Sequence, residues 1–455
     1  MKWRIVLTVV FVLTLFAGFA YLYVNTFVRK HQQAVILFVV NGLDLNTLNM
    51  ARQQLGRSSA HGDPDDPAIG DARRRAAYRS EILDLDSFWN IALLSIQDPG
   101  QPVPDEGADA TALACGQRVE NGFVGGEGLP SLIYAAEKAG RATGLVTTSS
   151  LVQPTPVAFY STIKGTPDPY RNASELVYDR IDVVLGGGEQ YFTPANATNE
   201  WGRRDGVDLE DEAKKKGYTV LRTRDDLNNV SYWSMGKLFG LFASDQFYFS
   251  SLQPENRRQP SLAEMTRVAI SSLNHNGNGY FLVVEHDLVA RAAERNFGRL
   301  AVNEVAQVDE AIQSAVEFAG PDALVMVTNN YSLGAVGPLP PPSAGDRVAP
   351  TPTVDANGGD VRPPAIPMAP PPQPAWLAGP GGPTVTRAQA AWLRQQGESG
   401  WFAPGLLQPD PAFRFQTQAL PIVEPAWLAS RGEGSSQLRG FLNNTDVFDI
   451  INESF

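Results

Sequence analysis

Hydrophobic and polar positions fall in blocks along this chain, and the blocks predict its architecture. Ala34–Val40 is short, unbroken and rich in β-branched residues, the pattern of a strand buried on both faces. Asn41-Gly42 turns the chain, and Asn46 is placed to cap a helix through Met50 and Ala51. The alternation then recurs. An amphipathic helix over 129–139 leads to a strand over 143–148, and a strand over 181–185 ends in Gly186-Gly187-Gly188. A helix over 210–216 precedes a strand over 218–221, a helix over 261–274 precedes one over 280–284, and a long helix over 299–319 precedes one over 323–328. Strands alternating with helices predict an α/β fold with a largely parallel central sheet covered by helices on both faces. In such sheets chemistry gathers at the carboxyl ends of strands, here Asn41, Glu285 and Asn329-Asn330.

Two segments break the pattern. Ile5 to Val28 is almost wholly apolar and long enough to cross a bilayer as a helix. Lys2 and Arg4 precede it, Arg29 and Lys30 follow it, and Tyr21 and Tyr23 lie near its far end. A cleaved signal peptide is the rival reading. The apolar run continues past Gly18 and Ala20, which favours an uncleaved anchor. From 337 to 383 the composition turns proline-rich, and the segment reads as an insertion with little capacity to bury a core. The expected organisation is therefore an anchor over 1–30, a first part of the main domain over 31–336, the insertion over 337–383, and the final part over 384–455. That final part holds a helix over 386–396, a strand over 420–423 and a helix over 445–452.

The formal net charge of −12 argues against nucleic acid as a partner. The single cysteine, Cys115, excludes an intramolecular disulfide and reads as a small core residue. With an exported chain, low cysteine usage suits a bacterial envelope, with the main domain on the periplasmic side. The chain has only four histidines, His31, His61, His275 and His286, which is a poor supply of zinc ligands.

The ordered segments VILFVVNG, VPDEGADATALACGQRVENG, KAGRATGLVTTSSLVQPTPVAFY, DVVLGGGEQYF, SLAEMTRVAISSLN, GYFLVVE, DALVMVTNNYS and FLNNTDVFDI resemble alkaline phosphatases. The resemblance runs from Val35 to Phe455 except for the proline-rich stretch. It implies the alkaline phosphatase fold, a two-zinc, one-magnesium site, and a serine that forms a phospho-enzyme. Carried over residue by residue, it also implies that this site has been dismantled. Asn41 falls where the family has a bridging aspartate, and Glu106 where it has the nucleophilic serine. Gln153 replaces a magnesium carboxylate, while Thr155 and Glu285 are retained. Ala290 and Glu294 stand at an aspartate and a histidine of one zinc. Asn330 and Tyr331 stand at the Asp-His pair of the other, and Gln416 at the last zinc histidine. His286 adjoins Glu285 but should point the opposite way along a strand. The phosphate-binding arginine would lie near Thr166, with Lys164 or Arg171 as substitutes, so the phosphate-binding residue is not assigned.

The implied function is that of a membrane-anchored alkaline-phosphatase-like protein without phosphomonoester hydrolysis, a scaffold or binding module of the envelope. No zinc or other cofactor is predicted. An unidentified envelope protein is the expected partner, and the family suggests a homodimer. The alternative is a rewired hydrolase with a single Mg²⁺ or Ca²⁺ ion held by some of Asp44, Asp105, Glu106, Asp109, Glu285 and Asp287; an active phosphatase is the third reading. Trp392, Trp401 and Trp427 mark a candidate exposed patch, with burial as the default.

Overall fold

The computed structural model describes residues 34–59, 83–96, 104–126, 128, 130–196, 200–231, 236–253, 259–295, 297–331 and 425–455, with residues 3 and 11–19 near the N-terminus. The strands are β1 (Ala34–Val40), β2 (Asn90–Ser95), β3 (Ala142–Ser150), β4 (Val183–Gly187), β5 (Tyr218–Leu221), β6 (Lys237–Leu241), β7 (Tyr280–His286), β8 (Leu324–Asn329), β9 (Ala426–Arg431) and β10 (Gly440–Asn443). The helices are α1 (Leu45–Ser59), α2 (Glu106–Cys115), α3 (Leu132–Lys138), α4 (Pro154–Tyr160), α5 (Pro169–Tyr178), α6 (Glu189–Phe192), α7 (Leu209–Lys215), α8 (Arg224–Asn228), α9 (Leu262–Leu273), α10 (Leu288–Glu294), α11 (Gly298–Ala319) and α12 (Asn444–Glu453).

The described strands form one sheet in the order β10-β2-β9-β8-β1-β7-β3-β4-β6-β5. Every pairing is parallel except those of β9, which runs antiparallel between β2 and β8. β1 is buried at all seven positions because its alternate residues feed two different cores. Ile36, Phe38 and Val40 pack on one face with α9, α10 and α11. Val35, Leu37 and Val39 pack on the other with α2, α3 and α4. That two-sided burial is why the strand carries no polar residue before Asn41.

The start of the first helix differs from expectation for a local reason. Asp44, not Asn46, caps α1: its Oδ1 accepts the Thr47 N–H at 2.7 Å. Asp109 lies buried inside α2, and its Oδ1 accepts from Asn444 Nδ2 at 2.7 Å. α9 and its cap at Ser261, with Glu264 completing a capping box, agree with the expected helix over 261–274.

The helix expected over 386–396, the strand over 420–423, the proline-rich insertion, Trp392, Trp401 and Gln416 lie outside the described residues. Trp427 is buried, and its Nε1–H donates to the Leu43 carbonyl at 2.8 Å. Cys115 is buried in the second core, which pushes its thiol up to about 12. Of the apolar run over 5–28, only residues 11–19 are described; they are helical, and among the described residues no helix is long and apolar enough to cross a membrane.

Candidate functional site

β1 sits between β7 and β8, so its carboxyl end opens onto the middle of the sheet. Val40 is level with His286 on one side and with Asn329 on the other. The Asn41 backbone N–H donates to the His286 carbonyl at 3.0 Å, and the Gly42 N–H to the Tyr331 carbonyl at 3.2 Å. Gly42 has φ +74°, and a Cβ there would fall 2.7 Å from Ala290 Cα. Only glycine fits this turn. These contacts bring Asn41, Glu285, Asp287, Ala290, Asn330 and Tyr331 into one cleft from three strands.

Asn41 is fully buried. Its Nδ2 lies 3.0 Å from Asp287 Oδ1, 3.2 Å from Glu285 Oε1, 3.2 Å from Thr155 Oγ1 and 3.3 Å from Glu106 Oε1. An amide nitrogen has two hydrogens. The cleft therefore holds more acceptors than that amide can satisfy at one time. Thr155 adds its own bonds to Glu106: its hydroxyl donates to Oε1 at 2.8 Å and its N–H at 3.3 Å. Asn330 Nδ2 donates to the Glu106 carbonyl at 3.1 Å and lies 3.2 Å from Thr155 Oγ1.

Glu106 is held in place by the start of α2. Asp105 is the N-cap, accepting the Ala108 N–H at 2.9 Å and the Gly122 N–H at 2.6 Å. Glu106 is thus the first residue of the helix, where its carboxylate faces the helix's positive end. Glu285 is buried near the end of β7, its Oε2 accepting from Thr147 and, at 3.1 Å, from Ser149. Burial first, and the negative charge of Asp287 second, push the Glu106 carboxyl up to about 7 and that of Glu285 well above the usual carboxylate range. The same two causes raise Glu294.

The sequence reading missed three members of this site. Arg291 on α10 donates from Nε to Asp287 Oδ2 at 2.5 Å. The signal was present as Asp-x-x-x-Arg, the spacing that stacks two side chains on one helical face. Thr147 and Ser149 on β3 were also unassigned, and only the pairing of β3 with β7 brings them to Glu285.

Other expected residues lie elsewhere or do different work. Gln153 occupies the N-cap of α4 without a side-chain capping bond. Ala290 packs under Gly42, and Glu294 accepts the Tyr331 hydroxyl at 3.2 Å. His286 faces away from Glu285, as expected, with Nδ1 2.9 Å from Thr148 Oγ1 and Nε2 3.4 Å from Glu304 Oε2. Lys164 stacks on the Phe123 ring at 5.4 Å, and Arg171 lies against Gly165, so neither joins the cluster around Asn41. Of the six carboxylates considered for a single cation, Asp44 and Asp105 are spent on helix caps and Asp109 on Asn444. Glu106, Glu285 and Asp287 do meet at Asn41.

Zinc would need imidazole, thiolate or open carboxylate ligands. Among the described residues the nearest imidazole, His286, is turned to the opposite face, and the Asn41 and Asn330 amide nitrogens donate to neighbouring oxygens while Asn41 Oδ1 accepts from Thr155 Oγ1 at 3.4 Å. Among the described residues no group of three or more His, Cys, Asp and Glu side chains is arranged to hold a metal ion. The described residues do not fit a zinc pair.

The alkaline phosphatase family model matches residues 32–343. This chain belongs to the alkaline phosphatase family. It is 28% identical over 353 residues to the tissue-nonspecific isozyme of Homo sapiens, a match covering 68% of this chain and 64% of that one. It is 32% identical over 249 residues to alkaline phosphatase 4 of Bacillus subtilis, covering 52% and 51%. The chain thus spans about half to two thirds of the length of these relatives. In fold it is similar to the alkaline phosphatase of Thermus thermophilus, with a TM-score of 0.64 at 21% identity, covering 94% of this chain and 92% of that one. The alkaline phosphatase of the Antarctic bacterium TAB5 gives 0.60 at 18% identity, covering 92% and 96%. The family's architecture is therefore retained around a cluster of carboxylates and amides.

Proposed function

We propose that this member of the alkaline phosphatase family does not hydrolyse phosphate monoesters and serves as a scaffold or binding module. The observation that carries this reading is Glu106, an acidic side chain at the helix start where the family resemblance places a serine. Its Oε1 is engaged by Thr155 and Asn41. Once ionised, a buried carboxylate there repels a phosphate dianion, and Oε1 already accepts hydrogen bonds. Asn330 and Tyr331 add an amide that donates and a hydroxyl bound to Glu294, neither of which replaces a carboxylate and an imidazole as zinc ligands.

The test is turnover of p-nitrophenyl phosphate by the purified full chain with zinc and magnesium supplied. The reading predicts none above the buffer blank. Turnover that co-elutes with the protein and is lost in Glu106→Ala would overturn it. A second reading, a hydrolase using one Mg²⁺ or Ca²⁺ ion, draws support from the meeting of Glu106, Glu285 and Asp287 at Asn41. One equivalent of bound divalent ion together with ester hydrolysis would favour it.

The apolar run at 5–28 supports tethering to a membrane, with the main domain exported to the envelope. Release of the chain from membranes by an alkaline carbonate wash would contradict the tether. A homodimer fits the family, and light scattering of the detergent-solubilised chain at monomer mass would contradict it.

A further inference from the structure

The cleft poses a problem of charge. Glu106, Glu285 and Asp287 surround one neutral amide nitrogen, and Glu294 stands beyond Tyr331. Like charges this close oppose one another strongly where water is scarce. Neutral donors such as Asn41 and Thr155 can orient the carboxylates but cannot balance them.

Arg291 can. It stands one helical turn beyond Asp287, which sits at the N-cap of α10 yet makes no capping bond. The two oxygens of Asp287 are divided instead, Oδ1 to Asn41 Nδ2 at 3.0 Å and Oδ2 to Arg291 Nε at 2.5 Å. Asp287 therefore couples the guanidinium to the amide at the centre of the cluster. Arg291 also lies within electrostatic range of Glu106, Glu294 and Asp245. Arg295, the other cation alongside, pairs with Glu294 at 3.7 Å and donates to the Arg291 carbonyl at 2.9 Å. The Arg291 side chain is 24% exposed and Asp287 only 3%, so the positive charge closes the cleft from its outer side.

We propose that Arg291 is the resident cation of this cleft: its guanidinium balances Asp287 and Glu106 from within the chain and keeps a divalent cation out. This deepens the reading that the protein lacks the metal chemistry of its family, and it rests on that reading. A metal site that has lost its ion leaves carboxylates uncompensated, which is strongly destabilising. A guanidinium with a fixed charge at every accessible pH removes that cost without any ion.

The experiment compares the full chain with Arg291→Gln and Arg291→Lys, titrated with Mn²⁺ and followed by the paramagnetic resonance of the free ion and by the thermal midpoint. The wild type and Arg291→Lys are expected to bind no stoichiometric Mn²⁺. Arg291→Gln is expected to have a lowered midpoint, to take up one equivalent of Mn²⁺, and to recover midpoint on doing so. If Arg291→Gln does not fold, the double variant Glu106→Gln/Arg291→Gln decides the matter. Recovery of folding supports a charge-balancing role, and continued failure overturns it. Folded Arg291→Gln that binds no Mn²⁺ also overturns the proposal. One Mn²⁺ bound to the wild type, without ester hydrolysis, overturns it as well and leaves the functional reading standing. Zinc-dependent hydrolysis by the wild type is the separate result that removes that reading.

Discussion

At Glu106, side-chain chemistry and local structure pull in different directions. The start of α2 offers a helix end that welcomes an anion, while Asp287 and burial oppose one, and burial with Asp287 leaves the carboxyl pushed up to about 7. Restoring a serine removes the repulsion but supplies no zinc ligand. Glu106→Ser is therefore expected to fold and to turn over no p-nitrophenyl phosphate, whereas measurable turnover would mean the cleft still gathers metal. Asp109 offers a test away from the cleft. Burial, partly offset by its bond from Asn444, raises its carboxyl to about 8. Below pH 4 the acid is protonated in both folded and unfolded chains. Between pH 4 and 8 only the folded chain keeps the proton, so stability falls by about 1.4 kcal/mol per pH unit from this group alone. Asp109→Asn keeps the acceptor for Asn444 and has no such slope. Denaturant titrations across that range should show the variant's advantage growing with pH, and a constant difference would show that Asp109 ionises freely in the fold.

Elements place these residues, and they differ in how much of that placement the sequence reveals. β1, β7 and β8 were legible because strands buried on both faces carry continuous apolar runs with sharp polar ends at Asn41, Glu285 and Asn329. β2 and β10 were not, since Asn90–Ser95 and Gly440–Asn443 lie partly exposed near the sheet edge and lack that contrast; β6 and β9 were missed too, although both are mostly buried. The antiparallel course of β9 has no local signal at all, because direction is set by pairing with β2 and β8. The altered family positions could be read residue by residue, yet Arg291 escaped because its role depends on where α10 begins. Caps behaved similarly: Asp44 and Asp105 looked like candidate ligands until their backbone partners were known. Asp105→Ala removes the acceptor for both Ala108 and Gly122. It should cost about 1–2 kcal/mol in an equilibrium unfolding experiment. A loss near zero would mean that α2 and Glu106 are positioned by packing alone.

For the whole molecule, the sheet and its two cores supply the frame, and the cleft at the carboxyl ends of β1, β3, β7 and β8 is where we propose that this chain departs from the chemistry its family name describes. Catalysis by a zinc pair needs several imidazole and carboxylate ligands, and beside Glu106, Glu285 and Asp287 the described residues present amides, an alanine and a guanidinium there. On this proposal the fold is kept and the chemistry is not. The elemental zinc content of the full chain, purified from cells grown in zinc-supplemented medium and dialysed without chelator, tests this most directly. The account predicts no stoichiometric zinc. A pair of zinc ions per chain would contradict it.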